Sequence, residues 1–163
     1  FTADQLNSYF AEDFVRVPPF KLPEGVRSPR VSIRPKQFTL AFRYGTGGWN
    51  TVVTADLAVW LVAGEVNLVA VELLGLHAGA IPLSPQAFFE HLSERARQWN
   101  LEVNWYRHDG NPLALVRIQP DRLNPTVILQ RLELHDGRLV VEGRSSEPAP
   151  FKSMLSFHGV NHP

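Results

Sequence analysis

The sequence predicts an α+β protein, a long curved, mainly antiparallel sheet wrapped on one amphipathic helix, with a short second helix at the N-terminus. Three observations carry this. Residues 51–62 and 66–74 are two nearly continuous apolar runs separated by Ala63-Gly64-Glu65, the mark of a long hairpin. Residues 85–99 place apolar side chains every three to four positions. Four shorter runs follow, divided by turn residues that include Asp-Gly at 109–110 and 136–137.

The first helix starts where Thr2 and Gln5 stand three apart as a capping box, with Phe1 and Leu6 as a hydrophobic staple and Asp4 in the first turn. Leu6, Tyr9, Phe10 and Phe14 recur at helical spacing, and the helix stops before Val17-Pro18-Pro19. Pro18, Pro19, Pro23 and Pro29 make the next stretch an extended connector. From Arg30 the period is two: Val31 and Ile33 alternate with polar residues, and Phe38, Leu40, Phe42 and Tyr44 resume one residue out of phase. A bulge or bend at 35–37 is expected there. The cluster Gly45-Thr46-Gly47-Gly48 lacks the Lys-Ser/Thr of a phosphate loop and reads as a hairpin turn.

The long hairpin is apolar on both faces. Val53, Ala55, Leu57, Val59 and Leu61 point one way, and Val52, Ala58, Trp60 and Val62 the other, so something must cover a second greasy surface. After the corner Ile81-Pro82-Leu83, Ser84 caps a helix with Pro85 at its first position. Phe88, Leu92, Ala96 and Trp99, reinforced by Phe89, form its apolar stripe opposite Glu90, Ser93, Glu94, Arg97 and Gln98. Strands are then expected at 101–106, 113–119, 126–134 and 139–142. A single domain over residues 1–147 and a tail over 148–163, anchored by Phe151, Met154, Leu155 and Phe157, complete the expectation.

Composition narrows the function. Sixteen basic against sixteen acidic residues leave a net charge of zero, which argues against nucleic acid as partner. The absence of cysteine excludes disulfides and thiolate metal sites. No apolar run within the chain reaches the roughly 20 residues of a membrane-spanning helix. The start at Phe1 suggests that an upstream signal or anchor has been removed.

The segment Phe1-Thr2-Ala3-Asp4-Gln5-Leu6-Asn7, the strand signals Val31-Ser32-Ile33 and Phe38-Thr39-Leu40, and above all Val71-Glu72-Leu73-Leu74-Gly75-Leu76-His77-Ala78-Gly79-Ala80-Ile81-Pro82-Leu83-Ser84-Pro85 carry a resemblance. With them the chain resembles small bacterial envelope proteins that hold a tubular lipid-binding (TULIP-like) half-barrel, usually behind an N-terminal anchor. What the resemblance implies is a periplasmic or otherwise extracytoplasmic location, membrane association through that anchor, an apolar groove between a long helix and a curved sheet, and no catalytic residues.

The candidate ligand-binding residues are therefore Phe88, Phe89, Leu92, Ala96 and Trp99 on the helix, Trp60 on the unshielded strand face, and His77 at the groove mouth. Catalysis has weaker support. His158 and His162 lack a nearby carboxylate, His108-Asp109 and His135-Asp136 fit turns, Glu90 and Glu94 fit a solvated helix face, and no Gly-x-Ser-x-Gly elbow exists. No enzyme activity, cofactor or metal is expected. The expected function is noncatalytic binding of a lipid, an acyl chain or another apolar ligand. The alternative is a structural or protein-interaction module with a filled core, self-associating through its apolar face.

Overall fold

The computed structural model describes residues 1–16, 24–45, 48, 50–98, 101–119 and 123–145, without the side chains of residues 12–16, 85, 87, 88, 91, 92, 95 and 98 in the helices. Along the chain lie α1 (Ala3–Arg16), β1 (Val26–Arg34), β2 (Gln37–Tyr44), β3 (Thr51–Leu61), β4 (Leu68–Ala78), β5 (Ile81–Pro82), α2 (Pro85–Gln98), β6 (Glu102–His108), β7 (Asn111–Arg117), β8 (Val127–His135) and β9 (Arg138–Ser145). Seven strands form one sheet in the order β1-β2-β3-β4-β7-β6, with β5 added to β4, and β8 and β9 pair separately. Every ladder is antiparallel, so the α+β class with a mainly antiparallel sheet stands. The tail at 148–163 lies outside the described residues.

Three local expectations are corrected. The phase break at 35–37 is a complete reversal of the chain: Arg34 pairs with Gln37 and Lys36 takes φ 64°, so β1 and β2 form a tight hairpin where a single bent strand was expected. The second long strand does not end at Leu74 but runs to Ala78. Leu57 pairs with Leu73 and Asp56 with Gly75, so Leu74 is the extra residue of a bulge. The bulge shifts the side-chain alternation by one, keeping Leu73 and Leu76 on one face and exposing Leu74. The last two strands form their own two-stranded sheet instead of extending the main one.

Ladder partners share a face, so the register divides the sheet into an inner and an outer side. The inner face carries Val31 and Ile33 of β1, Val53 and Ala55 of β3, and Leu73 and Leu76 of β4, all buried. Its cover has several parts. β8 and β9 lie against β1, β8 reaches across to β3, and α1 lies along β1. Asn7 of α1 satisfies both backbone groups of Val31, donating Nδ2 to its carbonyl at 3.0 Å and accepting its N–H at 2.7 Å. That contact closes an edge that would otherwise invite a further strand. At the other end Phe89 of α2 packs on the cluster of Val53, Ala55, Leu73 and Leu76.

Both Asp-Gly pairs form hairpin turns as their chemistry demands. Asp109 and Gly110 sit at φ 48° and 85°, the double left-handed geometry that matches the twist of the flanking strands. The capping box also forms, Thr2 N donating to Gln5 Oε1 at 2.8 Å and Gln5 N to Thr2 Oγ1 at 3.1 Å. The staple does not, because Phe1 stays 66% exposed; backbone hydrogen bonds of 2.8 Å exchanged with Leu139 hold that end instead.

The exposed face of β8 and β9 carries a charge network. Arg131 donates Nη2 to Glu133 at 2.7 Å and Nη1 to Glu142 at 3.2 Å, and His135 Nε2 lies 3.0 Å from Glu133. The Arg131 hydrogen bond holds the Glu133 carboxyl below its ordinary range. Because the folded value is depressed, the small stabilisation is present above the ordinary glutamate range and is lost as pH falls through the folded value. An NMR titration should find Glu133 protonating at lower pH than a free glutamate side chain. In Arg131→Ala its midpoint should move back up.

Candidate functional site

The feature that organises a site is a gap in the sheet. β4 pairs with β7 from Leu68 to Glu72 and with β5 at His77 and Ala78, both on the side away from β3. Between those ladders Leu83 N bonds the Leu76 carbonyl, and among the described residues no strand lies beside Leu73, Leu74 and Gly75 on that side. α2 crosses near this opening, and the two enclose a cleft of about 1040 Å³. Its apolar part is Leu73, Leu74, Leu76, Phe89 and Trp105, and its rim holds Gln86, Glu90, Glu94, Arg97 and Arg107.

A clasp holds the helix at this distance from the sheet. Trp105 projects from the inner face of β6, paired with Ala114 of β7, and donates its indole N–H to Ser93 Oγ on α2 at 2.7 Å. Its ring centroid lies 4.3 Å from that of Phe89 in a tilted arrangement. One hydrogen bond and one aromatic contact thus join α2 to the β6–β7 hairpin, and the same two rings line the cleft.

The hairpin tip forms the opposite wall and is fastened from the outer face. Glu72, 6% exposed, accepts Asn111 Nδ2 at 2.8 Å and lies 3.2 Å from His108 Nδ1. A buried carboxylate needs such partners, and here both come from residues flanking the Asp109-Gly110 turn. Glu72 is the last β4 residue laddered to β7, so its side chain pins the tip where the backbone ladder stops.

The sequence-predicted residues separate into three groups. Phe89 lines the cleft, and Ala96 is buried on α2 at 9% exposure. Phe88 and Leu92 have side chains, and Trp99 its whole residue, outside the described part. Trp60 and His77 lie on the outer face and are not in the cleft: Trp60 pairs with Ala70 with its ring 5.9 Å from that of His108, and His77 pairs with Thr54. The outer-face cover that the sequence demanded is supplied in part by the protein's own side chains, since Ala70 beside Trp60 is only 1% exposed.

The α2 residues on the cleft, Gln86, Phe89, Glu90, Ser93, Glu94 and Arg97, are mainly from the side read from sequence as the solvated face. Trp105, Leu73 and Leu76 were not singled out as site residues. Trp105 sits in a strand of alternating pattern, Val103-Asn104-Trp105-Tyr106, and no local signal tells which aromatic of such a strand meets a helix twelve residues earlier.

Among the described residues no three His, Cys, Asp or Glu side chains converge as metal ligands. No described helix is long and apolar enough to cross a membrane. No family profile, curated protein or solved structure matches this chain.

Proposed function

We propose that the protein is a noncatalytic binding protein of the cell envelope that takes a lipid or other amphipathic molecule with an acyl-like body in the cleft between α2 and the broken sheet. The observation that carries this reading is the cleft itself. Its volume of about 1040 Å³ is at the upper end of ordinary small-molecule sites. Its wall of three leucines and two aromatic rings suits an apolar body, and its rim of carboxylate, guanidinium and amide groups suits a polar end. The TULIP-like half-barrel, with the sheet curving around α2, and the extracytoplasmic location belong to the same proposal. They are supported by the resemblance of residues 71–85 to such envelope proteins.

A second reading rests on a specific feature, the stretch Leu73–Leu74–Gly75 of β4, which pairs with β3 on one side and has no described strand beside it on the other. An extended peptide laid into the gap would lie along the open side of β4 and meet the same apolar wall, as in strand-addition binding.

Native mass spectrometry of gently purified protein, followed by titration with a fluorescent fatty acid, separates the two. The lipid reading predicts co-purified lipid or saturable probe binding displaced by unlabelled fatty acid. Leu74 is 45% exposed on the cleft wall, so Leu74→Arg should leave the melting temperature within about 1–2 °C while abolishing probe binding. No lipid, no saturable binding and an unchanged Leu74→Arg variant would reject the lipid reading.

A further inference from the structure

The β1–β2 hairpin carries a charge distribution that the balanced composition conceals. Between Glu24 and Asp56 the chain contains Arg27, Arg30, Arg34, Lys36 and Arg43 and no carboxylate. Two of these arginines are forced together, since Arg27 and Arg43 are direct ladder partners. Their Cβ atoms are then roughly 5 Å apart on one face, an arrangement that costs stability unless a counter-charge lies between them. Two other strand arginines do have acids beside them: Arg117 lies 3.1 Å from Glu65 and 3.7 Å from Glu102, and Arg131 bonds Glu133 and Glu142. Among the described residues neither Arg27 nor Arg43 has a hydrogen-bond or ion-pair partner.

The surroundings complete a receptor for an anion. A depression of about 380 Å³ is lined by Arg27 and Arg43 with Ser28, Asn50 and Thr51, all of which offer donors, and by no carboxylate. The local backbone is built around it. The β1–β2 register shifts between Arg27 and Arg30, so that Ser28 and Pro29 together stand opposite Phe42 and β1 carries one extra residue, and Ser28 takes φ 49°, in the left-handed region that serine rarely adopts. Without that bulge the alternation would continue unbroken along β1. With it, Arg27 is directly opposite Arg43 while Val31 and Ile33 keep their inner positions.

We propose that Arg27 and Arg43 form an oxyanion-binding site, for a phosphate group, on the outer face of the sheet near its β1 edge, separate from the α2 cleft. Two guanidinium groups with flanking hydroxyl and amide donors match a tetrahedral phosphate, which accepts several short charge-assisted hydrogen bonds. A phosphate of this kind is carried either by a small soluble phospho-compound or by a phospholipid headgroup.

The test titrates the protein at low salt with inorganic pyrophosphate, and in a second arm floats it with vesicles of phosphatidylglycerol or of phosphatidylcholine. Binding in the first arm alone identifies a soluble phosphate ligand. Binding restricted to the anionic vesicles identifies a headgroup, and binding in both arms is expected if the headgroup contact is the phosphate itself. In each case Arg43→Gln and Arg27→Gln should weaken binding roughly tenfold or more, and Arg144→Gln, at an exposed arginine of β9, should not. The unliganded Arg43→Gln protein should melt no lower than the parent, because the substitution also removes the like-charge contact. That sign separates a ligand site from a structural arginine. No binding in either arm, or binding undiminished by Arg43→Gln, would overturn the proposal.

Discussion

Asn67→Ala should cost about 2–4 kcal/mol of folding stability, read as a fall in the urea midpoint with an unchanged slope. Asn67 is 2% exposed in the turn between β3 and β4, and its side chain ties the two sheets together alongside the backbone bonds of Lys36 with Leu134 and Gly137 with Ile33. It donates Nδ2 to the Val127 carbonyl at 2.7 Å and accepts the Leu129 N–H at 2.8 Å, mimicking a strand beside β8. Alanine leaves both β8 groups without those partners, at roughly 1–3 kcal/mol for each one that stays dry. Alanine is also strained at the φ of 53° found there, a conformation asparagine tolerates. Asn67→Gly relieves the strain but not the loss of partners, so it should fall between the parent and the alanine variant. If the two substitutions prove equal and harmless, the β8–β9 hairpin is not held to the sheet by this residue.

Trp105→Ala should be nearly as damaging to stability, about 2–4 kcal/mol for a half-buried ring, and should remove ligand binding altogether. The reason is geometric: this one side chain both spans the cleft floor and holds α2 through Ser93. Trp105→Phe keeps the ring beside Phe89 and loses the indole hydrogen bond, which should cost about 1 kcal/mol, and Ser93→Ala should cost a similar amount. The double variant Trp105→Phe with Ser93→Ala should add little to either single change, because one bond is being removed twice. Full additivity would mean that the two residues act independently and that the clasp is not what positions the helix.

Much of this fold is legible in local chemistry. Capping residues, Asp-Gly turns and period-two runs located most elements to within a few residues, since each is decided by neighbours close in sequence. The errors share a different cause. Pro35-Lys36 looked like a bend because a two-residue turn with Lys at φ 64° is not favoured by lysine itself; it is imposed by the pairing of β1 with β2 over their full length. Gly75 looked like the end of a strand, whereas it continues β4 beyond the bulge. A Cβ there would come 3.0 Å from the His77 ring, so glycine makes room for that side chain.

The site was legible only in outline. An amphipathic helix near a doubly apolar hairpin predicts that helix and sheet meet, and Phe89 does pack on the sheet and line the cleft. Periodicity alone does not say which way a helix turns when it is held by a distant tryptophan, so the cleft received α2's polar side. The bulge at Leu74 and the early end of the β4–β7 ladder open the sheet, and both arise from long-range register. Trp60 was singled out because its face lacked a helix. The cross-strand pair with Ala70 and the ring contact with His108 give that face a partial cover that no sequence pattern announces.

The central claim is that the α2 cleft, and not the outer face, receives an apolar body. Intermolecular NOEs between an isotope-labelled long-chain fatty acid and the protein test it most directly. Contacts from the acyl chain to Leu73, Leu76, Phe89 and Trp105, with none to Trp60, Ala58 or Leu115, are the predicted result. Contacts confined to Trp60 and its outer-face neighbours, or no contacts at a concentration where the fatty acid is still monomeric, would contradict it.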